Sequence, residues 1–191
     1  MVRWPSDIIH SVMLRHLPNA ICVIRIALIW PTVDALYGGD YWRALVLVAV
    51  CAVSDALDGW LAKRFNWTSH LGKILDPLAD KLLLVSLFLT ATWMNLVPWW
   101  LTAIVVARDV LIGSGAVVYR FWFGPLHGRP TILSKINTGM QLAVVLAAIL
   151  GAATGLPTPE MVIALAIVTL LTTVVSGADY LGKFTRRALT S

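Results

Sequence analysis

The chain has 191 residues, of which 59% are hydrophobic and only 13% are charged, and its mean hydropathy is +0.80. A chain this apolar and charge-poor is not an ordinary soluble domain, so the composition predicts an integral membrane protein. Attraction to anionic lipid head groups accounts for the net charge of +5, which therefore indicates no nucleic-acid partner.

Residues 1–17 predict a short amphipathic helix that lies on the membrane surface. Ile8 and Val12 are spaced to share one apolar face of such a helix. Charged residues such as Arg3 and Asp7 interrupt the apolar ones, which argues against a cleavable signal. A loosely ordered terminus is the alternative.

Six apolar stretches follow, and each is long enough to cross a bilayer. The predicted helices are Pro18 to Tyr37, Tyr41 to Ala62, Leu71 to Leu96, Pro98 to Phe123, Ile132 to Ala153 and Met161 to Leu181. They predict an all-α bundle over residues 18–181, followed by a basic tail at 182–191, in one domain that covers residues 1–191. Cys22 and Cys51 lie within apolar runs and lack the spacing of a metal or redox site, so we expect them to be packing residues.

Lysine and arginine concentrate in alternate loops. They precede the first predicted helix, separate the second from the third and the fourth from the fifth, and follow the sixth. The opposite loops contain only Arg43. By the positive-inside rule both termini are cytoplasmic, as expected for a protein of the bacterial inner-membrane type.

Four aspartates lie near the predicted cytoplasmic ends of the second and third helices. Asp55 and Asp58 are three residues apart, and Asp76 and Asp80 are four apart, so each pair shares one helical face. A short loop makes the two helices antiparallel neighbours, which lets these faces meet. Carboxylates gathered in a low-dielectric setting need cations, and Mg²⁺ or Mn²⁺ suits oxygen ligands. Two such ions could clamp a phosphoryl group during transfer.

Small residues beside these aspartates leave backbone open to a ligand. Gly59 and Ala62 lie one turn beyond the first pair, and Gly72 lies one turn before Asp76. The alternative is that the aspartates only form ion pairs with nearby basic residues such as Lys63. Four carboxylates on two adjoining helices favour the metal site.

This spacing resembles the signature of the CDP-alcohol phosphotransferases, also called CDP-alcohol phosphatidyltransferases, which reads D-x2-D-G-x2-A-R-x8-G-x3-D-x3-D. The corresponding residues are Asp55, Asp58, Gly59, Ala62, Lys63, Gly72, Asp76 and Asp80. Lys63 is the one departure, because the family usually has arginine there, and lysine lacks the bidentate fork. The resemblance implies six transmembrane helices, a cavity that faces the cytoplasm, and two divalent cations. It also implies transfer of a substituted phosphate from a CDP-linked donor to an alcohol, with release of CMP.

The resemblance also implies roles for individual residues. The implied metal ligands are Asp55, Asp58, Asp76 and Asp80. The residues implied to border the CDP group are Asp55, Asp58, Gly59, Ala62, Lys63 and Gly72. Asp80 would in addition act as the general base that accepts the proton of the acceptor hydroxyl.

Three basic residues are candidates for binding an anionic acceptor. Arg25 and Arg108 lie inside predicted helices, where a charge usually faces an interior cavity, and Lys135 lies at the start of the fifth helix. Asp109 follows Arg108 directly and is predicted to point elsewhere, so we do not expect it to pair with Arg108. The alternative is that Arg108 pairs with a buried aspartate while Lys135 extends to the membrane surface.

Segments outside the aspartate motif resemble the branch of CMP-forming cardiolipin synthases. They are Leu17 to Leu28, Ala107 to Arg120 and Arg129 to Gln141. That branch joins CDP-diacylglycerol to phosphatidylglycerol, and a homodimer is common in the family.

Two other functions are open on the sequence. A phosphatidylglycerophosphate synthase uses glycerol 3-phosphate and typically has Arg-Glu where this chain has Arg108 and Asp109. Intramembrane carboxylates also occur in ion and proton transporters, but all four motif aspartates lie toward one side of the membrane, which disfavours a transporter.

Overall fold

A computed structural model describes the backbone of residues 17–65, 72–123 and 132–189, and the side chains of residues 21–55, 57, 64, 78–115, 132–180 and 182. All regular secondary structure within these ranges is helical, in six helices. The helices are α1 (Leu17–Tyr37), α2 (Tyr41–Phe65), α3 (Gly72–Trp93), α4 (Trp99–Phe123), α5 (Ile132–Thr154) and α6 (Pro159–Leu189).

The all-α prediction is confirmed, and most helix ends fall within three residues of the predicted ones. The exception is the end of α6, which runs to Leu189 rather than Leu181, so most of the predicted tail is helical. Lysine, arginine, leucine and alanine in this segment are strong helix formers, so the helix continues after the apolar run ends. The predicted surface helix at the N-terminus lies outside the described residues.

Turn chemistry accounts for the ends of α1 and α5. Gly39 and Gly155 have positive φ angles of 77° and 83°, a backbone conformation that glycine adopts without steric cost. After α1, Asp40 Oδ1 accepts a hydrogen bond of 3.1 Å from the backbone N–H of Arg43 and so caps α2. Helices α1 and α2 therefore reverse direction over three residues.

The chain forms two compact units, divided between Leu87 and Phe88. In the first unit α1 packs against α2, and the buried side chains include Cys22 and Cys51, both with no exposed area. Both cysteines are free thiols in the core, which agrees with the packing role predicted for them. The expectation of one domain stays a prediction.

In the second unit α6 packs against both α4 and α5. The buried residues of α5 recur every three or four positions and form one face of the helix. They are Asn137, Gln141, Val144, Val145, Ala148 and Ile149. This buried face is polar at its first two positions and apolar after them.

Among the described residues, two segments are long and apolar enough to cross a membrane by length and composition. They are Ile132–Thr154 and Pro159–Tyr180. Large apolar side chains are also exposed on helices of the first unit. On α2 they recur at spacings of four, three and four residues, at Val46, Val50, Val53 and Leu57. An apolar face of this kind is typical of a helix in contact with lipid.

Candidate functional site

Arg25 of α1 joins two of the predicted site aspartates. Its side chain has no exposed area. The Nη1 atom donates a hydrogen bond of 2.8 Å to Asp55 Oδ1 on α2 and another of 2.8 Å to Asp80 Oδ1 on α3. Both contacts are also ion pairs. Helices α1, α2 and α3 therefore meet at one guanidinium nitrogen.

Both aspartates remain accessible while Arg25 holds them. The side chain of Asp55 is 50% exposed and that of Asp80 is 43% exposed, whereas Arg25 is fully buried. The exposed part of each carboxylate is therefore not the part that faces Arg25. The arrangement has a buried cation behind two carboxylates that a ligand can reach from outside.

The proximity of the two carboxylates demands a counter-charge. Both Oδ1 atoms lie 2.8 Å from the same nitrogen, so they are within twice that distance of each other. At an effective dielectric constant of about 20, two unit negative charges about 5 Å apart repel by roughly 3 kcal/mol. Arg25 supplies the positive charge that offsets this repulsion in the described structure.

These residues also fit part of a divalent-metal site. Carboxylate oxygens are the ligands that Mg²⁺ and Mn²⁺ prefer, and here they come from two helices to one place. Among the described side chains, no group of three or more histidine, cysteine, aspartate or glutamate residues comes together. The other predicted site residues have side chains or surroundings outside the described residues, and they are Asp58, Gly59, Ala62, Lys63, Gly72 and Asp76. The set of four aspartates stays a prediction.

A second charged cluster lies in α4, α5 and α6. Arg108 Nη1 donates to Asp109 Oδ1 at 2.8 Å. Its Nη2 donates to Ser134 Oγ at 3.0 Å and to Ser176 Oγ at 2.6 Å. The side chains of Arg108 and Asp109 are each only 7% exposed. One arginine therefore ties the three helices of this cluster together.

The expectation that Asp109 does not pair with Arg108 is wrong. Successive residues do diverge around a helix, but an arginine side chain is long enough to turn back to its neighbour. Burial raises the cost of leaving either charge alone, so the two adjacent charges pair. Arg108 therefore has a nearly buried aspartate as a partner, and its contact with an acceptor stays a prediction. Lys135, the third candidate for binding the acceptor, is exposed on α5.

Sequence reasoning missed a buried polar face between α5 and α6. Asn137 Oδ1 accepts hydrogen bonds from Thr172 Oγ1 at 3.1 Å and Thr173 Oγ1 at 2.7 Å. Together with Ser134 and Ser176, these residues place polar groups along two otherwise apolar helices. Their spacing of three or four residues in the sequence is the signal that could have revealed this face.

Comparison with known proteins bears on the aspartate motif directly. A family model described as CDP-alcohol phosphatidyltransferase matches residues 15–178. The chain belongs to this family. CDP-alcohol phosphatidyltransferases are membrane-associated and generally depend on divalent cations, which agrees with the apolar composition and with the paired carboxylates.

Individual relatives in the family carry two kinds of name. A probable cardiolipin synthase (CMP-forming) of Drosophila melanogaster is 38% identical over 146 residues, covering 68% of this chain and 45% of that protein. A cardiolipin synthase (CMP-forming) of Streptomyces coelicolor is 40% identical over 103 residues, covering 50% of this chain and 47% of that protein. The chain therefore spans about half the length of these two relatives.

The third relative carries the other name. A CDP-diacylglycerol–glycerol-3-phosphate 3-phosphatidyltransferase of Bacillus subtilis is 28% identical over 195 residues. This match covers 88% of the present chain and 94% of that protein.

The Arg108–Asp109 pair leads to a test of stability. Asp109→Ala leaves a nearly buried guanidinium without its counter-charge, and we expect the free energy of unfolding to fall by about 3 kcal/mol. Thermal unfolding of purified protein in detergent measures the change. Asp34→Ala is the control, because Asp34 is exposed.

Adding Arg108→Met to Asp109→Ala removes the stranded charge, so the double variant should regain part of the lost stability. A melting temperature for Asp109→Ala equal to that of the Asp34→Ala control would contradict the proposed importance of the pair.

Proposed function

We propose that the protein is an enzyme of phospholipid synthesis that transfers a phosphatidyl group from CDP-diacylglycerol to the hydroxyl of an alcohol acceptor. The observation that carries this proposal is the pair of half-exposed carboxylates, Asp55 and Asp80, that Arg25 holds together. Both aspartates occupy positions of the family signature. The site therefore combines the residue types that the family's chemistry needs with access for a ligand.

The proposed reaction is a direct displacement at the phosphorus of the phosphatidyl group. The acceptor oxygen forms a new bond to this phosphorus, the bond between the phosphorus and the oxygen of CMP breaks, and CMP leaves with the electron pair. Asp55, Asp58, Asp76 and Asp80 would hold two Mg²⁺ or Mn²⁺ ions. When bound, these ions offset the negative charge of the pyrophosphate and of the departing CMP.

Asp80 is the proposed general base. Its side chain is 43% exposed, so a hydroxyl group can approach it, and its carboxylate accepts the proton that the hydroxyl loses. The hydrogen bond from Arg25 fixes the direction of this side chain. Gly59, Ala62, Lys63 and Gly72 are proposed to border the CDP group, as the family signature implies.

The proposed acceptor is phosphatidylglycerol, and the product is then cardiolipin. Two relatives that are 38% and 40% identical to this chain are named as cardiolipin synthases. Arg108 and Lys135 are the proposed contacts for the phosphate of the acceptor. The two serine hydroxyls on Arg108 Nη2 can rotate to donate to a phosphate oxygen, which supports this role. The contacts of Arg25 favour a role within the aspartate site instead.

Glycerol 3-phosphate is the second candidate acceptor. The relative of Bacillus subtilis named for that acceptor matches over 94% of its own length, more than either cardiolipin synthase does. Both acceptors present a hydroxyl group and a phosphate, so the charged side chains of the site suit either one.

Six membrane-spanning helices with both termini in the cytoplasm complete the proposal. The exposed apolar face of α2 and the two apolar segments in α5 and α6 support membrane insertion. The distribution of lysine and arginine supports the orientation, which would open the aspartate site to the cytoplasm. Residues 1–17 are proposed to rest on the membrane surface, and a homodimer is proposed from the family resemblance.

Cysteine labelling tests the orientation. The native thiols, Cys22 and Cys51, are first replaced, and single cysteines are placed at Asp40 and Arg64, which are exposed near opposite ends of α2. In intact bacterial cells an impermeant thiol reagent should label the cysteine at position 40 and should label that at position 64 only after permeabilisation. The reverse pattern would overturn the orientation.

Competition between acceptors tests the substrate. Purified protein with Mg²⁺, CDP-diacylglycerol and both acceptors should release CMP and should incorporate phosphatidylglycerol into cardiolipin. Mass spectrometry identifies the product, and a chelator should stop CMP release. Incorporation of glycerol 3-phosphate alone would establish the second candidate, and CMP release that persists in chelator would contradict the metal.

Asp80→Asn tests the general base. The amide retains an oxygen that accepts the hydrogen bond from Arg25 but takes no proton from the hydroxyl, so turnover should fall by roughly a hundredfold or more. Binding of CDP-diacylglycerol should remain largely intact. Asp34→Asn is the matched control, since it makes the same change at an exposed aspartate of α1. Substantial turnover by purified Asp80→Asn would rule out the assignment.

A further inference from the structure

We propose that Arg25 is a built-in counter-cation of the aspartate site: it orients Asp55 and Asp80 and competes with divalent cations for the same carboxylates. This inference rests on the proposed function, because it names a positioning residue of that same site. It assigns Arg25 to the aspartates rather than to the acceptor.

The first observation is the geometry of Nη1. One nitrogen carries two N–H bonds, and it donates one to each of two carboxylates, both at 2.8 Å. The carboxylates belong to different helices, 25 residues apart in the sequence. Arg25 therefore fixes the separation of Asp55 and Asp80 and offsets part of their negative charge.

The second observation is the contrast in burial. Arg25 has no exposed side-chain area, whereas its two partners are about half exposed. A fully buried guanidinium is costly unless carboxylates pair with it, so the arginine depends on the aspartates as much as they depend on it. Arg25 therefore lies on the buried side of the two carboxylates, and their exposed surface is where a second cation would approach.

Competition follows from these two observations. A divalent cation on the exposed side of Asp55 and Asp80 is attracted to the same two carboxylates that bind Arg25. The cation and the guanidinium repel each other across the shared carboxylates, so each weakens the binding of the other. Removing the charge of Arg25 should loosen the metal-free protein and tighten the binding of the metal.

Arg25→Met tests this, because it keeps an unbranched apolar side chain and removes the charge. In chelator, its melting temperature should lie well below that of the wild type. Saturating Mn²⁺ should raise the melting temperature more in the variant than in the wild type. The dissociation constant for Mn²⁺, measured by electron paramagnetic resonance, should fall by about tenfold.

Arg43→Met is the matched control, since it removes one arginine charge from an exposed side chain of the same unit. It should change neither measurement. Arg25→Lys is the conservative variant and keeps the experiment informative if Arg25→Met does not fold. The lysine retains the charge, so its Mn²⁺ affinity should stay close to that of the wild type, while its melting temperature in chelator should fall because the fork is lost.

Two results would overturn the inference. The first is Mn²⁺ affinity in Arg25→Met that is equal to or weaker than that of the wild type. The second is a melting temperature of Arg25→Met in chelator that equals that of the wild type, together with a raised KM for the acceptor. That result would indicate that Arg25 binds the acceptor. Neither the dissociation constant for Mn²⁺ nor the melting temperature requires a substrate for its measurement, so both are independent of the reaction. Wild-type protein that neither binds Mn²⁺ nor releases CMP would instead overturn the proposed function, and the comparison in chelator would still decide the role of Arg25.

Discussion

A single guanidinium nitrogen bonded to two carboxylates is the interaction on which the candidate site depends. Without a cation between them, the carboxylates of Asp55 on α2 and Asp80 on α3 would repel each other. Arg25 offsets this repulsion from the buried side, while both carboxylate side chains stay about half exposed. The same interaction therefore stabilises the arrangement of the helices and prepares a site of negative potential for cations or for groups that carry them.

The two arginine clusters use the same chemistry with different exposure. Arg25 faces carboxylates that are about half exposed, whereas Arg108 and Asp109 are each only 7% exposed. Pairing within a low dielectric satisfies both arginines, but only the first pair of contacts leaves a carboxylate that a ligand can reach. Accessible carboxylates suit cation binding, and a nearly closed pair with two serine partners suits the holding of α4, α5 and α6 in one arrangement. The difference in exposure therefore separates two carboxylates that a ligand can reach from an ion pair that is nearly closed.

The sequence predicted the helices well because long apolar runs with glycine and proline between them leave few alternatives. It also predicted that Asp55 and Asp80 come together, since helical spacing and a short loop place both on facing surfaces. It did not predict their partner. Arg25 lies 30 residues before Asp55, and no local periodicity specifies which distant helix packs beside a motif. Helical spacing also fails to predict the contacts of long, flexible side chains. The hydrogen bond from Arg108 to its immediate neighbour Asp109 is an example.

The Arg108–Asp109 contact bears on the choice of acceptor. The residue after the arginine is aspartate here, and the family resemblance implies that phosphatidylglycerophosphate synthases typically have glutamate at this position. In this structure that residue holds Nη1, while Ser134 and Ser176 hold Nη2. A glutamate would carry its carboxylate one methylene further from the backbone, so it would approach the guanidinium with a different geometry. The residue after the arginine therefore sets the orientation of a side chain that is proposed to contact the acceptor, and the length of that residue bears on how the acceptor is held.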